Sequence, residues 1–131
     1  MASMGARASN GVSLKQKGIN NMLKIKITTG LGFTKEGHKI DANNTAAALK
    51  QAQKALSEAF GGCTMQQGEG AWLNDEGKLV VEPVICFEAC FMGINEPMAQ
   101  ALAEQAAADL RDALGQQCVV FEVLNVNAEM I

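Results

Sequence analysis

The sequence predicts an α+β domain in which two helices cover one face of a four-stranded antiparallel sheet. Three observations carry that expectation. Segments whose apolar residues recur every second position alternate with two segments of helical period. Their order along the chain is strand, helix, strand, strand, helix, strand. The two middle strands are separated by Asn74-Asp75-Glu76-Gly77, a run of turn-forming residues.

In the first strand, Leu23 to Thr29, Leu23, Ile25, Ile27 and Thr29 alternate with Lys24, Lys26 and Thr28, the period of a half-buried strand. Gly30 and Gly32 end it, and a polar connection follows to residue 43. Asn44 or Thr45 is the expected cap of a helix running to Phe60, with Leu49, Ala52, Leu56 and Ala59 or Phe60 on its buried stripe. Gly61-Gly62 stops it. Cys63 to Leu73 and Lys78 to Met92 read as the two arms of a hairpin with a four-residue loop. Pro83, which has no N–H to give to a ladder, is expected at a bulge or where the hairpin projects past its neighbours. Asn95-Glu96-Pro97 starts the second helix, which runs to about Leu114. Met98, Leu102, Ala106, Leu110 and Ala113 form its expected stripe, and alanines at 99, 101, 103, 107 and 108 permit close packing. Gln117 to Asn125 is the last strand, with Val119, Phe121 and Val123 toward the core and a frayed tail from Val126 to Ile131.

The order β-α-β-β-α-β is that of the ferredoxin-like two-layer sandwich, with an expected spatial order of fourth, first, third and second strand. Right-handed crossovers place both helices on one side. Residues 22–131 are expected to form this single domain. Residues 1–21 are rich in Ser, Gly and Asn, and read as a disordered extension or a cloning-derived addition ahead of Met22.

Composition narrows the function. The net charge is −3; from Met22 onward 8 basic residues face 14 acidic ones, or 8 − 14 = −6. No run of lysine or arginine remains there, so no nucleic-acid partner is expected. No apolar run approaches the ~20 residues of a spanning helix, and no membrane partner is expected. The four cysteines, Cys63, Cys86, Cys90 and Cys118, form no C-x-x-C pair. They read as reduced, half-buried thiols of a cytoplasmic protein. The one histidine, His38, is remote from them in sequence, so neither a metal nor a cofactor is expected.

Two helices on one face leave the other face open. It should carry Lys24 and Lys26, then Thr64, Gln66 and Trp72, then Glu82, Cys86, Glu88 and Cys90, then Val120, Glu122 and Leu124. Lys24 or Lys26 should pair with Glu88 across strands. Val84, Val120, Leu124 and Trp72 would leave this face partly apolar, which suits sheet-to-sheet self-association. The sharper alternative is a ligand cleft against a partner subunit, lined by Glu82, Glu88 and Cys86. Glu82 and Glu88 stand six residues apart on one strand, or ~20 Å, too far to share a proton; by the same spacing Cys86 and Cys90 lie ~13 Å apart and cannot form a disulfide. Gly68-Glu69-Gly70 lies in a strand rather than ahead of a helix, so it reads as a bulge or close approach and not as a nucleotide loop. The segment Gly30 to His38 is the most plausible functional loop. His38, with Lys35 and Glu36, has the chemistry to contact an anion or move a proton, against the simpler reading of a solvated side chain.

Phe60-Gly61-Gly62-Cys63-Thr64, then Gly68, Gly70 and Trp72, then Gly77 and Glu82 form a pattern over roughly residues 45–90. It resembles a small bacterial family of unknown function with a ferredoxin-like fold, in which a helix ends in glycine, a strand carries G-x-G-x-W and a glycine turn leads to an acidic residue. The arginine of that family's first strand is replaced here by Lys24 and Lys26. The resemblance implies the fold and no established activity.

The functional expectation is an oligomeric binding or interaction module, with ligand or interface candidates Trp72, Glu69, Glu82, Glu88, Cys86, Lys26 and His38. The rival is a small enzyme with a cleft at the subunit edge near Glu69, Trp72 and the His38 loop. A third reading is a cargo protein of a phage or mobile element that inhibits a host factor by strand or surface pairing.

Overall fold

The computed structural model describes residues 20–91, 95–129 and 131. It contains β1 (Asn20–Gly30), α1 (Ala42–Phe60), β2 (Thr64–Leu73), β3 (Leu79–Phe91), α2 (Glu96–Ala113) and β4 (Val120–Ala128). The strands form one sheet in the order β2-β3-β1-β4, with every neighbouring pair antiparallel. This is the ferredoxin-like βαββαβ sandwich, in the expected strand order. No described helix is long and apolar enough to cross a membrane.

Alternation in β1 and β3 becomes two faces. Ile25, Ile27, Ile85 and Phe87 are fully buried and meet Leu56, Phe60, Ala103 and Leu110 of the helices. Phe91, at the end of β3, meets Phe60 edge to face with ring centroids 5.9 Å apart. The last residue expected in β3, Met92, and most of the expected extension, residues 1–19, lie outside the described residues.

Several boundaries and faces differ from expectation. Helix α1 starts at Ala42, capped by Asp41, whose carboxylate accepts the Asn44 N–H at 3.0 Å. Neither Asn44 nor Thr45 is the cap; both lie inside the helix. Its C-terminal Gly61 takes φ 87°, and its N–H donates to the Ser57 carbonyl. Helix α2 is capped by Asn95 but rotated from its expected stripe: Met98 and Leu102 are about half exposed, while Ala99 and Ala103 are buried. Two helices that pack on each other as well as on the sheet need small residues at the contact, because side-chain size sets their separation. Hydrophobicity alone would turn the larger residues inward.

The tail is not frayed from Val126. β4 runs to Ala128, with Met22 opposite Val126 and Asn20 opposite Ala128. Val123 is exposed rather than in the core, because β4 is an edge strand and the helices lie over β1 and β3. Cys63, Cys86 and Cys90 are half-buried free thiols, but Cys118 is exposed.

The hairpin and β1 explain Pro83. β2 pairs with β3 along its whole length, from Thr64 opposite Glu88 to Leu73 opposite Leu79, with no bulge. β1 pairs with β3 only as far as Gly30 opposite Val84. Beyond that point the hairpin projects as a two-stranded arm, and Pro83 stands at its root. The Pro83 carbonyl accepts the Leu31 N–H at 2.8 Å. In a strand the N–H and C=O of a residue point to the same side, so the N–H that Pro83 lacks would face the end of β1 and not β2. At the arm's tip, Asn74 Oδ1 accepts the N–H groups of Glu76 and Lys78, and Gly77 takes φ 77°.

Candidate functional site

Even-numbered residues of β1 to β4 form the uncovered face, and the register fixes their neighbours. Lys26 lies opposite Glu88 on one side and Glu122 on the other. The ion pair that forms is diagonal: Lys24 Nζ is 3.0 Å from Glu88 Oε1. The hydrogen bond and the charge of Glu88 hold the Lys24 pKa above the usual lysine value. Cys86 and Cys90 flank Glu88 on the same strand. Lys24, Glu88 and Cys90 also line a shallow depression of ≈ 470 Å³ beside Gly61 and Gly62.

At the other end of this face lies a larger cleft, ≈ 680 Å³, where β1 ends, the arm projects and the α2–β4 connection passes. Its floor is Thr28, Gly30 and Val84; Trp72 and Glu82 rise from the arm; Phe33 and Lys35 close one side. The local sequence builds it. Gly70 is opposite Glu82 and puts no side chain there, and Val84 leans into the freed space, since a Cβ at Gly70 would come within 2.8 Å of its Cγ1. Gly70 therefore accommodates a diagonal valine, while a Cβ at Gly68, directly opposite Val84, would make ordinary contact, and the strand has no bulge.

Glu82 is held by the chain after β1. The Gly32 N–H donates to Oε1 at 2.9 Å. A Cβ at Gly30 would fall 2.7 Å from the carboxylate, and one at Gly32 would fall 2.9 Å from Oε1. The carboxylate thus occupies room that any side chain at these positions would take. Among the described residues no hydrogen bond reaches Oε2, which leaves it able to accept one.

The loop from Leu31 to Lys39 is more ordered than a polar connection. Phe33 and Lys39 form an antiparallel bridge, and the Thr34 N–H donates to the His38 carbonyl at 2.7 Å. Its outer edge is tied to the turn after α2. The Lys35 N–H donates to the Gly115 carbonyl at 2.8 Å, and Gln116 Nε2 donates to the Phe33 carbonyl at 2.8 Å.

The candidates separate accordingly. Trp72 and Glu82 come together in the cleft. Glu88, Cys86 and Lys26 lie on the same face nearer its middle. Glu69, opposite Pro83, and His38 are exposed and do not line the cleft. Gly30 and Gly32 belong to the loop expected to be functional, but their contact with Glu82 was not foreseen, and Gln116 was not named at all. The first two had a signal: glycines at the end of a strand whose partner strand carries a glutamate on the same face. Gln116 had none, because its contact spans 83 positions of sequence.

No family model matches the chain, and no curated protein matches it. Solved structures do share its fold. A phage SAM lyase in complex with S-methyl-5'-thioadenosine aligns with TM-score 0.57 at 13% identity, covering 82% of this chain and 90% of that one. GlnK of B. subtilis, solved with ATP, aligns with TM-score 0.51 at 12% identity over 81% of this chain and 82% of its own. CutA from Synechococcus elongatus PCC7942 aligns with TM-score 0.51 at 14% identity over 83% and 80%. At these identities the likeness is one of fold, and the chain belongs to the same architectural class as these small proteins.

Proposed function

We propose that this chain is a self-associating binding module whose small-molecule ligand sits in the cleft at the end of the open sheet face. The observation that carries the reading is the pairing of Glu82, fixed between Gly30 and Gly32, with a half-exposed Trp72 in a ≈ 680 Å³ cleft. Concave sites with mainly apolar walls and a few fixed polar groups are the usual form of a ligand pocket. Self-association draws on the same face. Its apolar Val120 and Leu124 stand beside lysines and glutamates in alternation, a pattern that a second copy can match residue for residue about a two-fold axis. Light scattering should give a mass above the 13.8 kDa of one chain; a strict monomer at high concentration would refute the oligomeric half of the proposal.

Trp72 is the only tryptophan and so reports directly on the cleft. Two of the fold neighbours were solved with adenosine compounds, S-methyl-5'-thioadenosine and ATP, which makes such compounds the first to titrate. Saturable change of Trp72 emission supports the cleft as the site; a flat response, with no heat in calorimetry, removes it. An enzymatic reading is favoured by one observation, a carboxylate at the edge of the cleft whose Oε2 accepts no hydrogen bond among the described residues. In that reading Glu82, rather than Glu69 or His38, is the group placed to take a proton. Turnover of a bound compound that is lost in Glu82→Gln even at a concentration that saturates the variant would establish it.

A further inference from the structure

We infer that the cleft selects a phosphate-free nucleoside, or a compound of the same chemistry: an aromatic ring for Trp72 and hydroxyl donors for Glu82. This rests on the cleft being a ligand site and names the class of ligand. An ionised carboxylate only accepts hydrogen bonds. Oε1 is already occupied by the Gly32 N–H, and the glycines at 30 and 32 keep the group from being displaced. A ligand atom that meets Oε2 must therefore be a donor, and a pair of sugar hydroxyls supplies one without bringing charge. Trp72, 45% exposed on the arm beside Glu82, offers an indole face to a planar ring.

The electrostatics of the cleft argue against phosphate. Anion sites favour helix N-termini, where free N–H groups and the positive end of the dipole meet the ligand. Here the lining holds no residue of α1 or α2; the chain after α2 contributes only Gln116, Gln117 and Cys118 of the connection to β4. Glu82 adds a full negative charge. Lys35 is the one cationic side chain among the lining residues, on an exposed loop. A triphosphate would meet a carboxylate with one lysine, and no helix N-terminus among the lining residues, to offset it.

The test is calorimetry and Trp72 fluorescence on the full chain with adenosine, 2',3'-dideoxyadenosine, S-methyl-5'-thioadenosine and ATP. Adenosine and S-methyl-5'-thioadenosine should bind, the dideoxy compound at least about tenfold more weakly, as befits loss of hydrogen bonds to a charged group, and ATP more weakly than adenosine. Glu82→Gln should weaken adenosine by about tenfold and narrow the gap between adenosine and ATP, because it removes charge as well as an acceptor. A residue that merely shaped the cleft would not narrow that gap. ATP binding as tightly as adenosine, or the dideoxy compound binding equally well, overturns the inference while leaving the cleft a ligand site. No binding by any of the four overturns both. The dideoxy comparison needs no variant, so the inference stays falsifiable if Glu82→Gln does not fold.

Discussion

Strand β3 passes through two environments, and the contrast between them organises the molecule. From Ile85 to Ala89 its odd residues are at most 5% exposed. From Leu79 to Val81 the same alternation continues, yet Leu79 is 66% and Val81 46% exposed. Nothing in the residue types separates the halves. What separates them is β1, which pairs with β3 only up to Val84, together with the helices above it. Burial on a strand is decided by its neighbours, and period two says only which residues share a face.

The sharpest way to break this comparison is to truncate one side chain in each half. Phe87→Ala should cost about 3–5 kcal/mol, read from the urea midpoint, because it empties a fully enclosed site. Leu79→Ala should cost about 0.5 kcal/mol or less, as for a surface change. Equal losses would mean that something covers the arm in solution, and the second copy would be the first suspect.

The root of the arm gives the next largest effect. Gly70→Ala would bring a Cβ within 2.8 Å of Val84 Cγ1. Valine is stiff about χ1, so overpacking of about 1–3 kcal/mol should follow. Val84→Ala in the same chain should recover most of it, because the two residues share one space. Additive costs in the double variant would show that the two do not meet.

Legibility followed the same division. β1 and the covered half of β3 were readable because Ile25, Ile27, Ile85 and Phe87 combine strict alternation with bulk. The topology was readable because element order leaves few ways to close a sheet. The helices were legible in extent but not in rotation. Met98 and Leu102 looked like core, and Ala99 and Ala103 displaced them, since close packing against α1 rewards small size. In the site, Trp72 and Glu82 were legible as residues of the open face. Their meeting with Gly30, Gly32 and Gln116 was not, because it depends on how far β1 extends beside the arm and where the turn after α2 passes.

Removing the cap of α1 takes away a contact of the covered half and leaves the arm's own contacts in place. Asp41→Ala should cost about 1 kcal/mol through the lost bond to the Asn44 N–H. Trp72 emission reports the arm, and far-ultraviolet circular dichroism reports the helices. If arm and covered half unfold as one unit, both signals shift by the same amount. If Trp72 keeps its wild-type transition while the helices melt earlier, the arm holds its structure independently, and the two environments are separate cooperative units.

The smallest effect lies on the reverse side of the covered half, at Lys24 and Glu88, both partly exposed. The hydrogen bond and charge of Glu88 raise the Lys24 pKa in the folded chain. A raised folded pKa means that the folded state holds its proton more tightly than the unfolded state does. The stability this contributes is complete below the unfolded lysine value of ~10.4 and is lost as pH climbs through the higher folded value. Glu88→Gln should therefore change the urea midpoint little at pH 7, as exposed pairs do. It should flatten the decline that the wild type shows at alkaline pH. The difference between the two curves, and not either curve alone, isolates the pair. Parallel curves through that window would mean that Lys24 and Glu88 do not hold each other in solution, and that the uncovered face is less ordered than the covered one it backs.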